Sequence, residues 1–247
     1  DGSTTAGLDG SEGEVLPARP PDRLVARFES GEPIRSVVVV GGGAAGVELA
    51  AAARTRVPRA DVILGEAGDR ILPGYHERVA RRATSALRRR GVEIRTGNPG
   101  LPDRTDGTAD VTILATGAAA HDFPVRSGLP GDERGFVRVA QDLQIPGHPG
   151  IFASGDCAAL VGASVPRAGV HAVRQAPVLA HNLVAVVSGA TTRGYRPQAD
   201  FLTLLNLGDG TALATKWGLV AEGRWLQVLK DTIDRRFVRS LQAAHNN

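Results

Sequence analysis

The feature that most constrains this chain is Gly41-Gly42-Gly43-Ala44-Ala45-Gly46, a Gly-x-Gly-x-x-Gly loop between an apolar strand and a helix. Upstream, residues 34–40 read Ile-Arg-Ser-Val-Val-Val-Val, the β-branched block of a buried parallel strand. Downstream, Ala44–Arg56 is dense in alanine and stops before Pro58, as a helix does. Glu66 follows Gly46 by twenty positions, at the end of a second strand over residues 61–64. A chain with 31 glycines produces glycine loops by chance, so the context decides. Strand, loop, helix and acid in this order specify a dinucleotide site.

The loop residues have distinct physical roles. Gly41 allows the tight turn, Gly43 lets the backbone approach a pyrophosphate, and Gly46 lets helix and strand pack closely. Gly42, Ala44 and Ala45 complete the cradle, where the helix N-terminus offers free N–H groups and a partial positive charge. Glu66 accepts hydrogen bonds from the adenine ribose hydroxyls in this reading. Its carboxylate repels a 2′-phosphate and favours NADH over NADPH, a preference that the nearby Arg70 moderates.

The rest of the chain alternates strand and helix. An amphipathic helix over 77–90 closes at Gly91, strands follow at 92–95 and 111–115, and 98–108 is turn material. The pattern predicts an α/β protein with a doubly wound, Rossmann-like parallel sheet. A second block opens with a strand at 151–154 and a helix from about 170 to 187. Short strands at 201–207, 211–215 and 217–220 and a final helix over 225–241 form a small α+β C-terminal region. Residues 1–33 read as an irregular segment with one or two helical turns.

Residues 151–156, Ile-Phe-Ala-Ser-Gly-Asp, join Ala115-Thr116-Gly117 as a second signature. With both in place the sequence resembles the two-dinucleotide-fold flavoproteins: pyridine nucleotide-disulfide oxidoreductases and type II NADH dehydrogenases. Residues 41–50 (GGGAAGVELA), 131–139 (GDERGFVRV), 168–183 (AGVHAVRQAPVLAHNL), 195–198 (YRPQ) and 230–237 (KDTIDRRF) are similar to one branch. That branch is often fused to selenide, water dikinase.

The resemblance implies FAD and NADH as cofactors, with hydride passing from NADH to FAD and on to an acceptor. Quinone, a selenium compound and dioxygen all stay open as that acceptor. It places Asp156 on the ribityl chain of FAD, with Gly155, Thr116 and Gly117 as further cofactor contacts. His171 and Gln175, on the helix after Gly-Asp, are candidates to face the flavin ring. Glu48 is the catalytic candidate, beside the nicotinamide; the alternative is a carboxylate favouring the first turn of its helix.

The resemblance also divides the chain. Residues 1–33 would be the end of an FAD half-domain and a linker, 34–120 the NAD(P)H domain, 121–187 the returning FAD segment, and 188–247 the C-terminal region. The chain opens on Asp1, contains no methionine, and has one glycine loop where the family has two. The expectation is a fragment lacking the first FAD half-domain, shortened again between residues 96 and 109.

Other classes lose support from composition. The formal charge is only +3 and the basic residues are dispersed, so nucleic-acid binding is not expected. Cys157 is the sole cysteine, which rules out an internal disulfide, and no metal-ligand spacing occurs. No run of about 18 apolar residues is present to span a membrane. Trp225, Leu229, Ile233, Phe237 and Leu241 recur every four residues beside Arg235, Arg236 and Arg239. Two readings fit that helix: packing on a flavin domain, or peripheral contact with the inner membrane face of a cytoplasmic protein. A non-catalytic NADH-binding module, or an accessory domain of a selenophosphate-synthesising protein, is the alternative to an enzyme.

Overall fold

The computed structural model describes residues 4–5, 14–97, 109–198 and 200–245. In chain order the first elements are β1 (Thr4–Thr5), β2 (Glu14–Pro17), α1 (Asp22–Glu29), β3 (Ser36–Val40), α2 (Ala44–Arg56) and β4 (Asp61–Glu66). Next come α3 (Glu77–Arg89), β5 (Val92–Thr96), β6 (Val111–Leu114), β7 (Ala118–Ala119), α4 (Phe123–Arg126), β8 (Val137–Val139) and β9 (Ala158–Leu160). The last are α5 (Gly169–Ser188), β10 (Thr203–Asn206), β11 (Ala212–Lys216), β12 (Leu219–Gly223) and α6 (Arg224–His245). They form two units, one of Asp1–Ala6 with Ala118–Ala199 and the other of Gly7–Gly117 with Asp200–Asn247.

The larger unit is built on a parallel five-stranded sheet in the order β2-β6-β3-β4-β5. Val37 and Val39 enter the main core, while Val38 packs with Ile63 and Ala109 in a separate cluster. Both kinds of position are buried, which is why these strands read as unbroken apolar runs. α2 buries Gly46, Val47, Ala50, Ala51 and Ala53 and leaves Ala45, Ala52, Thr55 and Arg56 exposed. It contacts β3 and β4 of the sheet and, in addition, β10.

The antiparallel sheet β10-β11-β12 belongs to this same unit. The C-terminal segment that the sequence sets apart as a region of its own therefore divides at residue 200. Leu205, Leu207 and Leu213 join the main core, whereas Ala212 and Ala214 pack on Leu226 of α6. Gly208 sits tight on α2: a Cβ there would lie 2.6 Å from the Ala51 carbonyl oxygen and 2.7 Å from Thr55 Oγ1, at a φ of +77°. Gly208→Ala is expected to destabilise this unit by about 2 kcal/mol. Denaturation followed by fluorescence checks this, because both tryptophans, Trp217 and Trp225, lie in the unit.

Three expectations are corrected. Residues 14–17 form a strand rather than an irregular segment: Leu16 is fully buried and β2 pairs with β6. Pro17 ends that strand without disrupting the sheet because β2 lies at the edge. Residues 151–154 form no strand; Phe152 makes a single bridge to Gln144 in a tight return loop. The strands of that region are β8 and β9, paired in parallel and three residues each, too short to show a period. The strand expected from Trp217 begins instead at Leu219, since Trp217 and Gly218 take φ values of +52° and +73° in a two-residue hairpin turn.

In α6, Leu226 is buried and Leu229 packs beside it, while Trp225 is 63% exposed. Of the expected series Leu229 packs, while Trp225, Ile233 and Phe237 are exposed. No helix among the described residues is long and apolar enough to cross a membrane. The turn expected over 98–108 lies outside the described residues.

Candidate functional site

The glycine loop stands at the carboxyl ends of β3 and β6, the edge where open α/β sheets bind ligands. β3 and β6 are neighbours, and Ala115 N–H donates to the Val40 carbonyl at 2.7 Å. Thr116 and Gly117 follow there, so the structure brings them beside the loop. Three of the four glycines are demanded by the chain itself. A Cβ on Gly46 would fall 1.7 Å from the Gly41 carbonyl oxygen, and one on Gly41 would fall 2.4 Å from the Ala115 carbonyl oxygen. A Cβ on Gly42 would press on Glu66 at 2.8 Å.

Gly43 differs. Its φ is −68°, open to any residue, and a Cβ there would meet nothing within 4 Å. The fold places no requirement on its side chain; only something arriving from outside could. Gly43 caps α2 without a side-chain hydrogen bond, so the first-turn N–H groups of Ala44 and Ala45 face the same open space. The cradle fits a pyrophosphate.

Glu66 is held against this loop by its own hydrogen bonds. Oε2 accepts from Gly42 N–H at 2.7 Å and Oε1 from Gly68 N–H at 2.9 Å. Each oxygen keeps a second lone pair for a ribose hydroxyl. Arg70, expected to soften the preference against a 2′-phosphate, is engaged elsewhere. Its guanidinium donates to the carbonyls of Leu72, Pro73 and Tyr75 at 2.9, 3.0 and 2.9 Å.

Glu48 reaches the C-terminal elements. Oε1 accepts from Asn206 N–H at 2.8 Å and lies 3.9 Å from Lys230 Nζ. Tyr75 completes the cluster: burial raises its pKa, a hydrogen bond with Thr203 works against the rise, and the Glu48 charge adds to it. Asn206 and Lys230 stand 158 and 182 residues from Glu48, too far along the chain for a local pattern to reveal them. A groove of about 760 Å³ in this unit is lined by residues that include Leu24, Phe28, Leu49 and Ile113 and by no residue of the glycine loop.

In the other unit Gly155 and Asp156 form a tight 3-10 turn, with Gly155 at a φ of +72°. Gln175 Oε1 accepts from Gly155 N–H at 2.6 Å, and Arg167 Nε donates to the Asp156 carbonyl at 3.2 Å. His171 Nδ1 pairs with the Tyr195 hydroxyl at 2.9 Å. His171 and Gln175 are each 4% exposed: Gln175 holds the turn from inside the unit, and His171 is paired there with Tyr195. Cys157 is half-buried and its thiol donates to the Ser154 carbonyl at 3.2 Å. Arg167, which the sequence did not single out, spreads over the Phe136 ring at 3.2 Å from the centroid. Among the described residues no group of three His, Cys, Asp or Glu could hold a metal.

Burial lowers the His171 pKa, and the Arg174 charge adds to the effect. The unfolded chain, with an ordinary imidazole near 6.5, therefore takes up a proton that the folded chain refuses. The stability contributed by neutral His171 is complete above about pH 6.5 and declines as pH falls below it. Amide exchange along α5, corrected for intrinsic rates, is expected to quicken between pH 7.5 and 5.5, and to quicken less in His171→Gln.

Comparison with known proteins agrees with this geometry. The family model described as pyridine nucleotide-disulphide oxidoreductase matches residues 19–176. A type II NADH:quinone oxidoreductase of Staphylococcus aureus (strain NCTC 8325 / PS 47) is 26% identical, over 82% of this chain and 57% of that relative. This chain therefore spans little more than half the relative's length. Two solved structures share the fold. One is an FAD-dependent pyridine nucleotide-disulphide oxidoreductase from Desulfovibrio vulgaris, with a TM-score of 0.67 and 23% identity over 87% of this chain and 58% of that one. The other is a water-forming NADH oxidase from Lactobacillus brevis bound to NADH, with a TM-score of 0.67 and 21% identity over 87% and 50%. A glycine cradle shaped for a pyrophosphate, on a parallel sheet matched by that model over more than half the chain, places it in the pyridine nucleotide-disulphide oxidoreductase family.

Proposed function

We propose that this chain carries the NADH-binding unit, and part of the FAD-binding unit, of an FAD-dependent NADH oxidoreductase. The observation that carries the reading is Gly43, the loop glycine where an added Cβ would meet none of the described residues within 4 Å. Around it the N–H groups opening α2 hold the pyrophosphate, and Glu66 fixes the loop while receiving the ribose hydroxyls. Arg70 is occupied by three carbonyls, leaving the carboxylate unopposed and NADH preferred over NADPH. Flavin, when bound, supplies the redox chemistry by accepting hydride from the nicotinamide. Asp156, on its pinned turn, receives the ribityl hydroxyls; Glu48, tied to Asn206 and Lys230, orders the helix that opens at the loop.

The name of the Staphylococcus aureus relative supports a quinone as acceptor. The likeness to flavoproteins fused to selenide, water dikinase supports a narrower reading, with a selenium compound in that place. α6, with Trp225 and Val228 63% and 64% exposed, is the candidate for peripheral membrane contact. The competing reading, an NADH-binding module without redox chemistry, separates from the enzyme on one preparation. The full gene product is expected to absorb near 450 nm, as flavoproteins do at about that wavelength, and to be bleached by NADH. A colourless product that still binds NADH would establish the module.

A further inference from the structure

The Gly155-Asp156 turn is gripped from two sides by side chains distant in sequence. Gln175 takes the Gly155 N–H and Arg167 holds the Asp156 carbonyl. Arg167 is itself fixed. Its guanidinium stacks on the fully buried Phe136 ring, 3.2 Å from the centroid, and Nη2 lies 3.9 Å from Asp132 Oδ2. Asp132 is locked in turn, its Oδ1 accepting from the N–H groups of Arg134 and Phe136, both at 2.9 Å. The planar guanidinium thus has one face on an aromatic ring and its edge on a backbone carbonyl, a geometry that lysine cannot reproduce. Arg134, 5.4 Å from the same centroid, adds a second cation to the ring.

The geometry points to Arg167 as a positioning residue for the flavin site, setting the direction of Asp156 through the Asp156 carbonyl and the Phe136 stack. The inference rests on the reading of Asp156 as the ribityl-binding residue. A carboxylate that must meet ribityl hydroxyls within hydrogen-bond distance gains from a backbone that cannot rotate beneath it. Gln175 restrains the amide end of the turn and leaves the carbonyl end to Arg167. With Arg167 gone, the carbonyl end of the turn loses this hydrogen bond and Asp156 samples other directions.

A double-mutant cycle on the full gene product tests this, read by flavin affinity in fluorescence titrations. Asp156→Ala and Arg167→Ala are each expected to weaken flavin binding by about tenfold, the effect of one charge-assisted hydrogen bond. The double variant is expected to bind no more than about twofold more weakly than Asp156→Ala, because Arg167 acts through Asp156. NADH affinity, read from the other unit, is expected to be unchanged throughout. Arg167→Gln, which keeps an amide donor without the charge or the stack, replaces the alanine variant if that one does not fold, with the same losses expected. Additive losses, or flavin affinity untouched by Arg167→Ala while Asp156→Ala weakens it, would overturn the inference alone. Flavin affinity unchanged in Asp156→Ala would overturn the ribityl reading and the inference together.

Discussion

Gly46→Ala is expected to leave the NADH-binding unit unfolded. The added Cβ would sit 1.7 Å from the Gly41 carbonyl oxygen and 3.4 Å from Leu64 Cδ1. The first contact is with backbone, at the point where α2 crosses its own entry loop, so no side chain can rotate away to relieve it. Relief requires lifting α2 off β3, and with it Val47, Ala50 and Ala51, all fully buried. A loss above about 4 kcal/mol follows from overpacking and core exposure together, comparable with the whole stability of many domains. Far-UV circular dichroism and tryptophan fluorescence would show it. A Gly46→Ala protein that melts like the original would contradict the placement of α2 against the loop.

Gly43→Val is expected to do the opposite, keeping the fold and losing the ligand. Nothing among the described residues lies within 4 Å of the Cβ position and the φ of −68° is open to valine, so the fold is expected to survive, at a cost of about 1 kcal/mol for the poorer N-cap. The isopropyl group would fill the space that a pyrophosphate takes up over the N–H groups of α2. Loss of those contacts weakens NADH by about 100-fold, equivalent to about 2.7 kcal/mol. Titration calorimetry with NADH, beside a thermal melt, checks both halves. Unchanged NADH affinity would remove the loop as the dinucleotide site. The pair of substitutions separates a glycine needed by the fold from one needed by the ligand, three residues apart.

The sequence alone identified the loop, Glu66 and the parallel sheet because each is a local pattern. Ser36–Val40 is apolar on both faces, the glycines follow without a gap, and the helix begins on the next residues. Such features are written in neighbouring residues, where backbone sterics and periodicity act. Glu66 reached the loop because strand length fixes where the chain emerges, and the hydrogen bond to Gly42 at 2.7 Å agrees.

What the sequence could not show depends on partners far along the chain. Residues 151–154 look like a strand by composition, but a strand needs a ladder, and Phe152 finds only Gln144. Glu14–Pro17 looks irregular, yet its backbone completes the edge of the sheet against β6. Glu48 reads as a nicotinamide contact, or else a helix-start carboxylate, and its bonds to β10 and α6 come only with folding. His171 and Gln175 read as exposed to a cofactor until folding turns them inward. Arg167 is one arginine among many until Phe136 and the Asp156 carbonyl close around it. By itself the sequence determined that this chain folds into a dinucleotide-binding α/β unit, because backbone geometry at a glycine loop is local. Only the tertiary structure decided which side chains hold the Gly155-Asp156 turn, because that depends on which distant atoms fill the space beside it.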